Sequence, residues 1–203
     1  MTLLSRCTAG GNGWQIWACW RPRRGYIAGG DFCYAEGGRS GLLAACVDVL
    51  GHGEEAHRSL EGIRRELEAG GENLLEIFGR IEQTAFRSRG CALFLGMLGE
   101  CFLDYILVGN IRGWVINPAR IEILPGQAGI VGGRKILPAM RSIQLNDKSM
   151  LLVCSDGIKR SFLPGHSPRQ LWRDDGFGLT CSILEEFSIA EDDASVLVGR
   201  RWP

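Results

Sequence analysis

Residues Gly41 to Gly53, GLLAACVDVLGHG, decide the fold. An unbroken apolar run is followed by one carboxylate, Asp48, and then by two glycines around His52. A short apolar run closed by turn residues reads as a buried strand. Runs of the same kind lie at 14–20, 25–29, 91–98, 101–109, 113–116, 121–124, 150–155 and 194–199, most of them separated by Gly, Pro or Asn. The interval 53–86 differs. There Leu60, Ile63 and Leu67 recur at helical spacing before Gly70-Gly71, and Leu74, Leu75, Phe78, Ile81 and Phe86 continue after it, which predicts a helical hairpin. A third helix is predicted over 168–187, with Leu171, Trp172, Leu179, Ile183 and Leu184 as its apolar positions. Strands, a helix pair, strands, a helix and a last strand describe an α+β sandwich whose consecutive hairpins make its sheets mostly antiparallel.

The 203 residues, 45% apolar, suffice for one core, and no linker divides them, so a single domain over 1–203 is expected. Lys plus Arg equals Asp plus Glu at 23 each, and this balance argues against nucleic acid or acidic lipid as a partner. Eight cysteines lie scattered without zinc or redox spacing, and those inside apolar runs, such as Cys46 and Cys154, act as small hydrophobes in a reducing compartment. The opening MTLLSRCTAGG lacks a basic region followed by a sustained apolar segment, and no run is long enough to span a bilayer. The expectation is a cytoplasmic protein with no membrane partner.

Asp48 has counterparts. Asp31 and Asp156 follow apolar stretches, and Asp192 and Asp193 precede one. Strands of one sheet system bring their ends together, so acids distant in sequence can meet at one rim. Gathered there, carboxylates repel unless cations sit among them, and an all-oxygen donor set selects Mg²⁺ or Mn²⁺ over Zn²⁺. Gly51 and Gly53 would let the backbone turn sharply there and approach a bound oxyanion. Taken singly, each acid is also an ordinary turn residue. The signal lies in the set.

In order, GGD at 29–31, DVLGHG at 48–53, VGN at 108–110, SDG at 155–157 and DDASVLV at 192–198 resemble the motif succession of the metal-dependent PPM (type 2C) serine/threonine phosphatases. The likeness runs from about residue 12 to the end and is strongest to the bacterial SpoIIE-like branch, in particular its RsbX-type stressosome feedback phosphatases. It implies a four-layer α-β-β-α sandwich, two antiparallel sheets flanked by helix pairs, with two Mn²⁺ or Mg²⁺ ions at one edge. It implies that Asp48 bridges both ions, that the backbone carbonyl of Val49 contributes to one, and that Asp156 and Asp192 hold the other ion. Asp193 is the alternative to Asp192, and Asp31 would bind directly or through water. Such ions make water a nucleophile near neutral pH and neutralise phosphoryl oxygens during in-line attack. His52 is the candidate proton donor to the leaving oxygen, or else a shaper of its loop. Asn110 stands on the substrate side, where relatives often carry histidine or aspartate. Val49 departs from the usual glycine and Ala194-Ser195 from the usual Met-Thr. No residue matches the phosphate-binding arginine of relatives: Arg21, Arg23 and Arg24 lie in its neighbourhood, but such a cluster is more often the solvated tip of a hairpin. The implied substrates are phosphorylated STAS-domain proteins of the stressosome.

Other chemistries fit less well. His52 and His57 are five residues apart, about 140° around a helix, which does not make a zinc-binding HExxH pair. No P-loop is present, and the segment after Cys154 lacks the donor cradle of a cysteine phosphatase. The alternative from a different class is a pseudophosphatase that docks a partner without catalysis.

Overall fold

The computed structural model describes residues 4–166, 171 and 175–201. Two sheets face one another. The first has six strands, ordered β1 (Ser5–Gly11), β2 (Trp14–Arg21), β11 (Ala194–Arg201), β10 (Met150–Cys154), β7 (Arg112–Asn117) and β8 (Arg120–Ile123). The second has five, ordered β3 (Asp31–Gly37), β4 (Leu42–Val49), β5 (Cys91–Leu98), β6 (Phe102–Val108) and β9 (Arg141–Gln144). Every pairing between these strands is antiparallel.

β4 shows why its sequence is apolar without alternation. Leu42, Ala44 and Cys46 point between the sheets, while Leu43, Ala45, Val47 and Val49 point outward to helices. With both faces covered, neither parity of position can be polar. The outward residues meet α1 (Gly53–Glu68) and α2 (Leu74–Phe86), the hairpin expected from the sequence. Ala56, Leu60, Ile63 and Leu67 form the buried stripe of α1; Leu74, Ile77, Phe78, Ile81 and Ala85 form that of α2. Burying each large aliphatic side chain contributes about 1.5–3 kcal/mol. Asn73 caps α2 by accepting the Leu75 N–H at 2.8 Å. Glu54 and Glu55 complement the positive end of α1.

On the far face of the six-stranded sheet lies α3 (Gly176–Phe187), with Leu179, Ile183 and Leu184 packed on Cys19, Val196 and Val198. Asp175 caps it by accepting the Gly178 N–H at 2.6 Å. The expected apolar position Trp172 lies outside the described residues. The order of layers is α-β-β-α, with a helix pair on one side and, among the described residues, α3 and Leu171 on the other.

Three strand expectations are corrected. β1 was not expected, because its burial alternates along a sequence rich in small residues; it is joined to β2 by Asn12-Gly13, both at positive φ (49° and 72°), the geometry of a two-residue hairpin turn. Residues 25–29 form no strand: they lie in a turned segment, with the Tyr26 N–H on the Arg23 carbonyl and Gly25 at φ 89°. The strand begins instead at Asp31. The short edge strand β9 was not expected either.

Candidate functional site

The register of β3 against β4 sets Asp31 directly opposite Asp48, which puts their Cβ atoms about 4.5–5.5 Å apart. Two residues further in, on the same parity, Cys33 and Cys46 lie between the sheets. The two acids therefore occupy the open end of the sandwich interior. The facing sheet supplies the others: Asp156 follows β10 and Asp192 precedes the adjacent β11.

Their electrostatics show that the acids form one cluster. Burial, followed by the charges of Asp31 and Asp156 and more weakly that of Asp192, raises the Asp48 carboxyl to about 10. Burial likewise raises Asp31 to about 7, with Asp193 and Asp156 adding to the rise and the Ser155 and Ser195 hydroxyls opposing it. Asp192 is raised by burial and then by Asp156, while Arg23 opposes the rise. Asp156 is exposed, and its Oδ2 accepts the Asn110 side-chain N–H at 2.6 Å.

Asp192 and Asp193 have different surroundings. Asp192 is exposed at the rim. Asp193 is 4% exposed, and its two oxygens accept the backbone N–H groups of Arg23 and Gly30, each at 2.7 Å. It is a clamp on the β2–β3 segment, and it explains the paired glycines there. A Cβ at Gly29 would lie 2.7 Å from its carboxylate, and one at Gly30 would lie 2.8 Å from the Val49 carbonyl oxygen.

Gly51 (φ 93°) and Gly53 (φ 73°) both take left-handed conformations, which turn the chain between Asp48 and α1. His52 between them is exposed and makes no side-chain cap on α1. Its ring meets Tyr26 edge-on at 5.4 Å, and the Arg23 guanidinium lies over the Tyr26 ring, 4.7 Å from its centroid. The column Arg23–Tyr26–His52 thus links the neighbourhood of Asp192 to the loop after Asp48. Arg21 is no solvated tip: it is 8% exposed, and its guanidinium donates to the carbonyls of Pro22, Asp192 and Ile189.

Sequence reading missed three contributors. Ser155 and Ser195 are fully buried beneath Asp31 and bonded to each other's backbone, the Ser195 N–H to Ser155 Oγ at 3.0 Å and the Ser155 N–H to the Ser195 carbonyl at 3.2 Å. Tyr26 is the third. A serine in an apolar strand carries no signal of its own; only the pairing of β10 with β11 puts these two together.

The donor set fits hard divalent ions. The cluster is all carboxylate, and Asp31 Oδ2 is buried without a hydrogen-bond partner. Among the described residues no group of three or more His, Cys, Asp or Glu side chains is placed so that it could hold a metal ion. Mg²⁺ needs none, since it keeps several waters and takes only one or two carboxylates.

No protein-family model matches the sequence, and no curated protein matches it. Solved structures do. The catalytic domain of the serine/threonine phosphatase PstP, in complex with two manganese ions, matches with a TM-score of 0.73 at 13% identity, over 100% of each chain. RsbX in complex with magnesium matches with a TM-score of 0.79 at 18% identity, over 98% of each chain. The chain has a PPM-like fold. A chain from a structure described as the bacterial stressosome, adapted to control secondary messenger signalling, matches with a TM-score of 0.84 at 25% identity, over 92% of this chain and 99% of that one. Among the described residues, no helix is long and apolar enough to cross a membrane.

Proposed function

We propose that the protein is a Mn²⁺- or Mg²⁺-dependent phosphatase acting on phosphoserine or phosphothreonine of STAS-domain stress-signalling proteins. The observation that carries this reading is the cross-strand pairing of Asp31 with Asp48 at the same rim as Asp156 and Asp192. Two bound ions would supply an activated water and neutralise the phosphoryl oxygens. Asp48, opposite Asp31 in the strand register, would hold the ions together with Asp31, Asp156 and Asp192 and the Val49 carbonyl. Asp193 has both oxygens occupied by backbone donors and is left out. Asn110 fixes the Asp156 carboxylate by its hydrogen bond. Ser155 and Ser195 fix Asp31 from below. Gly51 and Gly53 keep the loop low enough for phosphoryl oxygens to approach the backbone. His52, oriented by Tyr26, would donate a proton to the departing seryl oxygen, which is otherwise a poor leaving group. The likeness to RsbX and to the stressosome chain supports the choice of substrate class.

The test is hydrolysis of p-nitrophenyl phosphate with Mn²⁺, and of phosphorylated STAS-domain proteins followed site by site. Asp48→Asn and Asp156→Asn should each lower kcat/KM at least about 100-fold, roughly 2.7 kcal/mol of transition-state stabilisation. Turnover indifferent to chelator and to both substitutions refutes the mechanism. A folded, metal-binding protein without turnover of either substrate supports the partner-docking pseudophosphatase instead.

A further inference from the structure

Among the eight cysteines, one pair stands apart from the core thiols. Cys19 on β2 is buried, and Cys181 on α3 is half-buried at the wall of a groove of about 920 Å³ also lined by Arg21 and Leu184. Their sulfurs are 3.7 Å apart. The Arg6 guanidinium lies 3.4 Å from Cys181 Sγ, which puts positive charge beside the more accessible sulfur. Cys19 also meets Thr180 Oγ1 at 3.1 Å. The helix lies flush on the strand: a Cβ at Gly176 would fall 2.0 Å from the Trp17 ring. We propose that Cys19 and Cys181 form an oxidisable dithiol, a modification site at which hydrogen peroxide makes a disulfide that staples α3 to β2.

The chemistry balances within the pair and one peroxide. The Cys181 sulfur attacks a peroxide oxygen, the O–O bond breaks, and the second oxygen leaves as water with the thiol proton; Cys181 becomes a sulfenic acid, oxidised by two electrons. Burial pushes the Cys19 thiol up to about 12, which leaves the first attack on peroxide to the more accessible Cys181 and makes the loss of the Cys19 proton part of the second step. As its sulfur attacks the sulfenic sulfur, the S–S bond forms, the S–O bond breaks, and the Cys19 proton leaves with the hydroxyl as a second water. Two thiols and one peroxide give one disulfide and two waters. The groove admits the oxidant to Cys181, whereas Cys33, Cys46, Cys91 and Cys154 are buried.

The staple acts close to the acid cluster. The end of α3 is tied to the segment after Asp156, by the Lys159 N–H to the Phe187 carbonyl and the Ile189 N–H to the Gly157 carbonyl, each at 2.8 Å. Two residues beyond Cys19, Arg21 holds the carbonyls of Ile189 and Asp192. The oxidised protein is therefore braced where the loops of Asp156 and Asp192 are anchored.

The test uses the whole chain carrying Cys101→Ser, which removes the exposed thiol. One equivalent of hydrogen peroxide should lower the intact mass by about 2 Da, the loss of two hydrogens in the balanced step. Peptide mapping should join Cys19 to Cys181, dithiothreitol should reverse the change, and the oxidised form should melt higher. With Cys19→Ser or, separately, Cys181→Ser added, the mass loss should vanish; the Cys19→Ser protein should instead carry a dimedone adduct at Cys181. An unchanged mass, a bridge mapped to Cys7, Cys33 or Cys46, or a mass loss that survives either serine variant overturns the proposal. None of these readouts requires phosphatase activity, so the outcome is independent of the function proposed above.

Discussion

Asp48→Asn should make the metal-free protein more stable, against the usual direction for a change at a half-buried polar residue. Asp48 faces Asp31 across two strands, and burial holds both carboxyls far above their ordinary value of 3.8, Asp31 near 7 and Asp48 near 10. The folded chain thus binds these protons more tightly than the unfolded chain does. Stability is fully present below pH 4, falls as pH rises toward about 7 through Asp31, and continues to fall toward about 10 through Asp48. At pH 8 without metal, folding must put a proton on Asp48 that the unfolded chain has released, and the amide removes that cost at nearly the same volume. Leaving a buried polar group poorly compensated costs about 1–3 kcal/mol, and a chain of this size gains about 2–4 °C in Tm per kcal/mol. The variant should therefore melt a few degrees, up to about 10 °C, above the wild type in EDTA at pH 8. At pH 5 the gap should shrink. Manganese at about 100 times Kd should add about 2.7 kcal/mol to the wild type and much less to the variant. Calorimetric melts under these three conditions decide the matter. A variant that melts below the wild type in EDTA at pH 8, or that keeps the full manganese shift, refutes the view of this rim as a cation-seeking acid cluster.

The neighbouring acids should separate cleanly in a second comparison. Asp192→Asn should leave the melting temperature in EDTA nearly unchanged and abolish the manganese-induced shift, whereas Asp193→Ala, which strands the Arg23 and Gly30 N–H groups, should cost about 1–3 kcal/mol in EDTA. Urea titrations with and without manganese read both; the reverse pattern would exchange their roles. Gly176→Ala should destabilise by roughly 1–3 kcal/mol by overpacking, because its Cβ would overlap the Trp17 ring. Urea unfolding measures the loss, and a neutral result would mean that α3 can lift from β2 at little cost.

Much of this architecture is legible in the chain because its signals are local. The helical hairpin follows from the spacing of Leu60, Ile63 and Leu67 and of Leu74, Phe78 and Ile81, and β4 from an apolar run covered on both faces. The strand expected at 25–29 failed for a non-local reason: the carboxylate of Asp193, more than 160 residues away, captures the N–H groups of Arg23 and Gly30 and holds the segment in turns. β1 was missed because Ser, Thr and Gly carry little apolar signal, although Asn12-Gly13 marks its hairpin.

Sequence alone determined which residues are acids at strand ends, because charge and strand-terminating glycines are properties of single positions. Tertiary structure decided which of them meet. The register of β3 on β4 sets Asp31 against Asp48, and the pairing of β10 with β11 brings in Asp156 and Asp192 over Ser155 and Ser195. It also separated Asp192 from Asp193, adjacent and chemically identical, by giving only the second a pair of backbone donors. Hydrogen-bond donors from distant strands differ between neighbouring positions in ways that no local pattern records.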